Sequence, residues 1–170
     1  MTSDQAHAIL QFLIPTVESE HATTRKVLAA VPDGKGDYAP DPKSMSAIDL
    51  AWHIASSEHM FMSGPIDGAF PAGDGKRPEN VKTSADVLAF YDRGMATIEK
   101  LKTLTGEQAL KVIDFHGVWQ LPSVSWLQMM LGHGIHHRGQ LSAYLRPMGA
   151  KVPGIYGPSG DEPMKVTASA

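Results

Sequence analysis

The sequence predicts an all-α fold, a four-helix bundle, on three observations. Four stretches of roughly 20 residues carry apolar side chains at helical spacing. The loops between them are long enough for a connection order other than simple up-and-down. Apolar residues make up 42% of the 170, an ordinary share for one globular domain with its own core. The chain reads as a single domain over residues 1–170, with 147–170 as a proline- and glycine-rich tail packed on the bundle.

A first helix is expected over residues 4–31, capped by Ser3 or Asp4. Ile9, Leu10, Leu13, Val17, Ala22, Val27 and Leu28 form its stripe. Pro15 is expected to kink it or move its start, and Pro32 ends it. Residues 32–45 are loop, rich in proline, glycine and aspartate. The second helix should begin near Ser44 or Ser46, since Ser46 and Asp49 have capping-box spacing. Leu50, His53, Ile54, Ser57 and Phe61 share one of its faces, and a loop over 63–80 follows.

Thr83 and Asp86 repeat the capping pattern before a third stripe: Val87, Tyr91, Met95, Ile98 and Leu101 or Leu104. Residues 105–121 contain "VIDFHGVWQL", β-branched and aromatic around His116-Gly117. A short hairpin or irregular connection is expected there. The last helix runs from Ser123 to about Arg146, stopped by Pro147 and Gly149. Val152, Ile155 and Tyr156 are the tail residues expected to pack on the bundle.

A formal net charge of −3 argues against nucleic acid as the main partner, because phosphate neutralisation needs clustered Lys and Arg. No apolar run reaches 18 residues, so no membrane span is expected. The first residues, "MTSDQAHAIL", lack a basic and then apolar signal pattern, and a cytoplasmic location is expected. The chain has no cysteine. Disulfides, zinc-thiolate sites and a cysteine nucleophile are excluded, and any thiol it handles comes from a small molecule.

The chemistry concentrates in "LGHGIHHRGQL", residues 131–141. His133 and His137 are four apart on one helix face, close enough to share a metal ion. The glutamate that would follow the first histidine in a helical zinc protease is Gly134 here, so that reading loses its base. Trp126, Met129, Met130, Gln140, Leu141 and Tyr144 share the stripe, which points the pair inward. A buried imidazole needs a partner for each nitrogen, and a metal ion plus one hydrogen bond supplies both. Gln140, one turn on, can give that bond, and packing on the helix face accounts for it equally well. His53, on the apolar face of the second helix, is the candidate third ligand.

The remaining histidines read more plainly. His136 is a rim residue, and His59 is expected to face away from His53. His7, His21 and His116 read as exposed or singly hydrogen-bonded, and Arg138, off the ligand face, as a salt bridge or bundle-end contact. Gly132, Gly134 and Gly139 each cost a helix roughly 1 kcal/mol against alanine, which implies close packing or room for a ligand. Three histidines without a carboxylate or thiolate leave a coordination position open, as in catalytic sites. Such an ion would activate water or a thiol.

The stretch "HGIHHRGQLSAYLRPMGAKVPGIYGPSGDEP" resembles the DinB/YfiT-like family of bacterial metalloenzymes. The likeness lies in the H-x-x-x-H-R-G-Q core, the helix-ending "LRPMG" and the "VPGIYGPSGDE" after it. Upstream, "LAAVPDGKGDYAPDPKSMSAIDLAWHIASSEHMF" is similar to the family's first helix, loop and second helix with its "H-I-A". The resemblance implies an up-down-down-up bundle, often a homodimer. It implies one divalent ion, nickel or zinc before iron(II) or manganese(II), held by His53, His133 and His137. It also implies a transferase or isomerase that activates a small-molecule thiol, such as bacillithiol or mycothiol, for an electrophilic substrate. Two alternatives stand beside it: a metal-dependent hydrolase, and a non-enzymatic stress-related bundle that binds metal or a small molecule.

Overall fold

The computed structural model describes residues 1–73 and 75–164. Helix α1, Ser3–Ala29, starts one residue earlier than the sequence suggests, because Thr2 is the cap. The Thr2 hydroxyl accepts from the Gln5 backbone N–H, and the Gln5 side chain accepts from that of Thr2. Pro15 lies inside α1 without ending it. Pro15 and Gln11, the residue four before it, are both exposed, so the carbonyl that loses its partner is on the outer side.

Helix α2, Ala47–Asp67, is capped by Ser46, whose hydroxyl accepts from Asp49 N–H at 3.2 Å. It runs through Pro65 into the expected loop and stops at Gly68, whose φ of 75° makes the left-handed cap. The expected third helix is two: α3, Ser84–Tyr91, and α4, Gly94–Lys102. Asp92 at the break takes both forks of Arg25 from α1, at 2.7 and 2.9 Å. Gly94 is where the chain crosses His21, and a Cβ at that position would lie only 2.8 Å from the His21 ring. Met95 is exposed and outside the stripe, whereas Val87, Tyr91, Ile98, Leu101 and Leu104 are buried.

The connection after α4 is more regular than expected. Thr105 and Gln108 build a capping box for the short helix α5, Gly106–Leu110. The antiparallel hairpin β1, Val112–Phe115, and β2, Trp119–Pro122, follows, pairing Val112 with Pro122 and Phe115 with Trp119. The fold is therefore mostly helical, with the hairpin that the sequence allows before the last helix. Helix α6, Ser123–Leu145, occupies the span the sequence marks for it. Beyond it, Tyr156 reaches back to α1, its hydroxyl donating to Glu20 Oε2 at 3.0 Å. Val152 and Ile155 pack on the core, while residues 165–170 of the expected tail lie outside the described residues.

The buried apolar residues form two clusters, one at each end of the long helices. One holds Leu10 to Val17 of α1, Phe61 of α2 and Val124 to Leu131 of α6. The other holds Val27 of α1, Leu50 to Ala55 of α2 and Leu141 to Leu145 of α6. Polar side chains lie at the level between them: His21, Thr24, Ser57, Glu58 and Arg138 are all buried. His133 and His137 fall in the same interval of α6. This polar layer sets the position of the site.

Candidate metal centre

Helices α2 and α6 face each other across this layer, and three imidazoles meet between them. His53 Nε2 lies 3.2 Å from His133 Nε2 and 3.3 Å from His137 Nε2. The ring centroids are 4.4 to 4.9 Å apart. All three rings are half-buried. His133 and His137 meet because they sit one turn apart on α6. His53 joins them because α2 turns its apolar face toward the same helix.

His53 stands from each of the other two at the spacing a tetrahedral ion requires, and all three donors lie within 4.8 Å of one another. Ligands about 2.0–2.1 Å from such a centre stand about 3.3–3.4 Å from one another. Hydrogen bonds among the rings do not account for the convergence as well. A neutral imidazole carries one N–H, so His53 Nε2 can donate to one neighbour at most. His137 has its proton on the outer side, since Nδ1 donates to Gln140 Oε1 at 2.8 Å. Its Nε2 therefore turns a lone pair inward. Ser57 Oγ lies 3.5 Å from His53 Nδ1. His133 is steadied by the Phe61 ring, edge-on at 5.5 Å.

The electrostatics keep the rings neutral. Burial, with smaller contributions from the other imidazoles, brings His133 down to about 4. Burial and then His137 lower His53. Burial lowers His137 too, against an opposing effect of the Gln140 hydrogen bond. Three uncharged imidazoles, with lone pairs available in a half-buried setting, are a fit donor set for a divalent ion.

Other sequence expectations meet mixed outcomes. His136 is exposed at the rim, its ring 4.9 Å from His137. Met129 and Gln140 are exposed rather than inward-facing. Beyond the adjoining backbone of α6 itself, a Cβ placed on Gly132, Gly134 or Gly139 would meet open space, so close packing does not explain these glycines. Arg138 is buried and bridges to Glu20 at 2.6 Å, with Thr24 Oγ1 at 3.1 Å and the Tyr156 hydroxyl at 2.5 Å. His21 meets the singly hydrogen-bonded alternative of its expectation and is buried, not exposed. It holds Glu58 at 2.5 Å through Nδ1 and stacks on Tyr91, whose hydroxyl donates to the other Glu58 oxygen at 2.6 Å.

Sequence reasoning also missed a cleft beside the three histidines. His59, expected to face away, lines it together with His53, and so does His116 from the hairpin tip. No sequence spacing relates these residues, since the cleft exists only once hairpin and helices have docked.

The DinB family model matches residues 8–165 of the chain. The uncharacterized protein YrdA of Bacillus subtilis (strain 168) is 31% identical over 156 residues, 90% of this chain and 91% of YrdA. The uncharacterized protein YjoA of the same organism is 30% identical over 135 residues, 77% of this chain and 85% of YjoA. Among solved structures, a DinB-like protein from Bacillus cereus ATCC 10987 superposes with a TM-score of 0.73 at 25% identity. That match covers 85% of this chain and 95% of the other. The YjoA crystal structure gives 0.69 at 26% identity, over 84% of this chain and 96% of YjoA.

Proposed function

This chain belongs to the DinB family, and on that footing we propose that it is a divalent-metal-dependent enzyme acting through a small-molecule thiol. The observation that carries the reading is the convergence of three Nε2 atoms at the spacing of metal ligands. His53, His133 and His137 hold the ion, nickel or zinc before iron(II) or manganese(II). When bound, the ion supplies Lewis acidity that favours the thiolate form of a thiol at neutral pH.

The protein's own residues prepare that role. Gln140 sets the tautomer of His137, and burial keeps all three rings unprotonated. A ligand set of neutral imidazoles leaves the ion's charge uncompensated, which favours an anionic partner such as a thiolate. With no cysteine in the chain, that thiolate belongs to a solute. The reaction class is S-transfer or thiol-assisted isomerisation. With α3 and α4 counted as one interrupted helix, this reading takes the bundle to run up-down-down-up.

Elemental analysis of untagged protein, purified without added metal, tests the proposal alongside His137→Ala. About one transition metal per chain, lost in the variant, is the expected result. A native protein that carries no metal and takes up neither nickel nor zinc overturns it. A screen of thiols against electrophiles, with water as the competing nucleophile, then separates transfer from hydrolysis.

A further inference from the structure

Beside the three histidines lies a cleft of about 430 Å³ that reaches His53. Its size falls within the range of small-molecule sites, about 300–1,000 Å³. Its walls come from parts of the chain far apart in sequence: α2, the loop after it, the end of α3 and the tip of the hairpin. Phe90, Phe115 and Met60 supply apolar surface, and His59, His116 and Ser56 supply polar groups.

Both aromatic walls are braced from behind. The Phe115 ring meets Phe70 edge-on at 5.1 Å and lies 5.5 Å from Trp126, a fully buried residue. The Phe90 ring lies 4.7 Å from Trp52, whose indole N–H donates to the Gly75 carbonyl at 3.2 Å. His59 meets Phe90 edge-on at 5.4 Å. Walls already ordered lose little further freedom when a ligand enters, which preserves affinity. Two fixed rings favour a planar guest.

His116 adds a second observation. Among the described residues it is the non-glycine residue with positive φ, at 52°. With Gly117 at 74°, it forms the kind of hairpin turn that asparagine, aspartate or glycine usually fills. Local hydrogen bonds hold the turn: Gly117 N–H donates to Asp114 Oδ2 at 2.7 Å, and Gln120 Nε2 to Asp114 Oδ1 at 3.2 Å. The turn thus carries a side chain where glycine is the easier fit, and sets an imidazole at the cleft. The polar groups named in the lining are imidazoles and hydroxyls. Beside a cationic ion, imidazole N–H and hydroxyl donors suit an anionic oxygen acceptor.

We propose that this cleft binds a small aromatic carboxylate, with its ring against Phe90 and Phe115 and its carboxylate met by His59 and His116. The proposal rests on the metal-dependent reading above and identifies the substrate class of that site.

Isothermal titration of 2-naphthoate and 2-naphthylmethylamine tests it, using zinc-loaded and metal-free protein, His116→Gly, Phe115→Leu and His137→Ala. The naphthoate should bind saturably to zinc-loaded and metal-free protein, with the amine at least about tenfold weaker. His116→Gly relaxes the turn, so its thermal midpoint should not fall, while naphthoate affinity drops about fivefold or more. Phe115→Leu should weaken the naphthoate as well. Absence of saturable naphthoate binding, equal binding of the amine, or unchanged affinity in both cleft variants would overturn the proposal. His137→Ala separates the two readings. Naphthoate binding retained after metal loss supports the cleft by itself, and a metal-bearing protein that ignores naphthoate leaves the metal reading standing alone.

Discussion

Gln140 determines which nitrogen of His137 faces the other two imidazoles. Removing that hydrogen bond frees the ring to turn or to change tautomer. Gln140→Ala should therefore weaken metal binding by about tenfold, the lower end of what such supporting partners contribute. Competition with a chromophoric chelator measures the change, and unaltered affinity would leave Gln140 an ordinary surface residue. His133 makes a separate prediction. It protonates at about 4 in the folded chain but near 6.5 when unfolded. Between those values the unfolded chain binds more protons, so this residue makes metal-free protein gain stability as pH rises through the window. Its contribution is complete above about 6.5 and is lost as pH falls toward 4. Urea titrations at several pH values should show a shallower dependence in His133→Asn; equal slopes would remove His133 as the cause.

At the scale of elements, glycines with similar cost in a helix have opposite surroundings. A Cβ on Gly106 would lie 2.3 Å from the backbone oxygen of Ser3, where α5 meets the start of α1. Gly106→Ala should destabilise by about 1–3 kcal/mol, because backbone must move. Gly132 and Gly139 face open space on α6, so alanine at either should stabilise by up to about 1 kcal/mol. Denaturant midpoints of the three variants check the contrast. The same scale shows what the sequence revealed. Ser46 marked the start of α2, and the His133–His137 spacing marked one face of α6, because caps and four-residue spacings are local. The break between α3 and α4 was hidden, since its surroundings come from distant residues: Arg25 pairs with Asp92 from 67 positions away, and His21 crosses at Gly94. His59 and His116 escaped for a similar reason: docking brings them to one cleft. Helix α5 was missed although Thr105 and Gln108 have capping-box spacing, because five residues are too few to show a stripe.

Across the whole molecule, the polar layer divides the core and ties the tail to it. Arg138 joins α6 to Glu20 and Thr24 of α1 and to Tyr156 of the tail. Arg138→Ala removes the cationic partner of Glu20 and one of the two polar contacts of Tyr156, which keeps its bond to Glu20. We expect a loss of about 3 kcal/mol in stability, together with faster proteolytic cutting around Ile155 and Tyr156. Wild-type resistance at those bonds in the variant would show that Val152 and Ile155 hold the tail unaided. Tyr91 and His21 close the layer over Glu58, and all three are buried. Burial, and then the Glu58 carboxylate, keep the Tyr91 phenol protonated far into the alkaline range.

His53 and His133 stand 80 positions apart, yet their Nε2 atoms are 3.2 Å from each other. Any ion held by both closes an 80-residue loop in a chain without a single disulfide, and so serves as its reversible crosslink. The two halves of that crosslink differ in readiness. The His133–His137 pair exists whenever α6 is helical, whereas His53 arrives only when α2 has docked. Loading would thus proceed by capture on one helix and then by clamping across two. Free ion at a hundredfold excess over its dissociation constant would add about 2.7 kcal/mol to the folded state, and chelation would withdraw it.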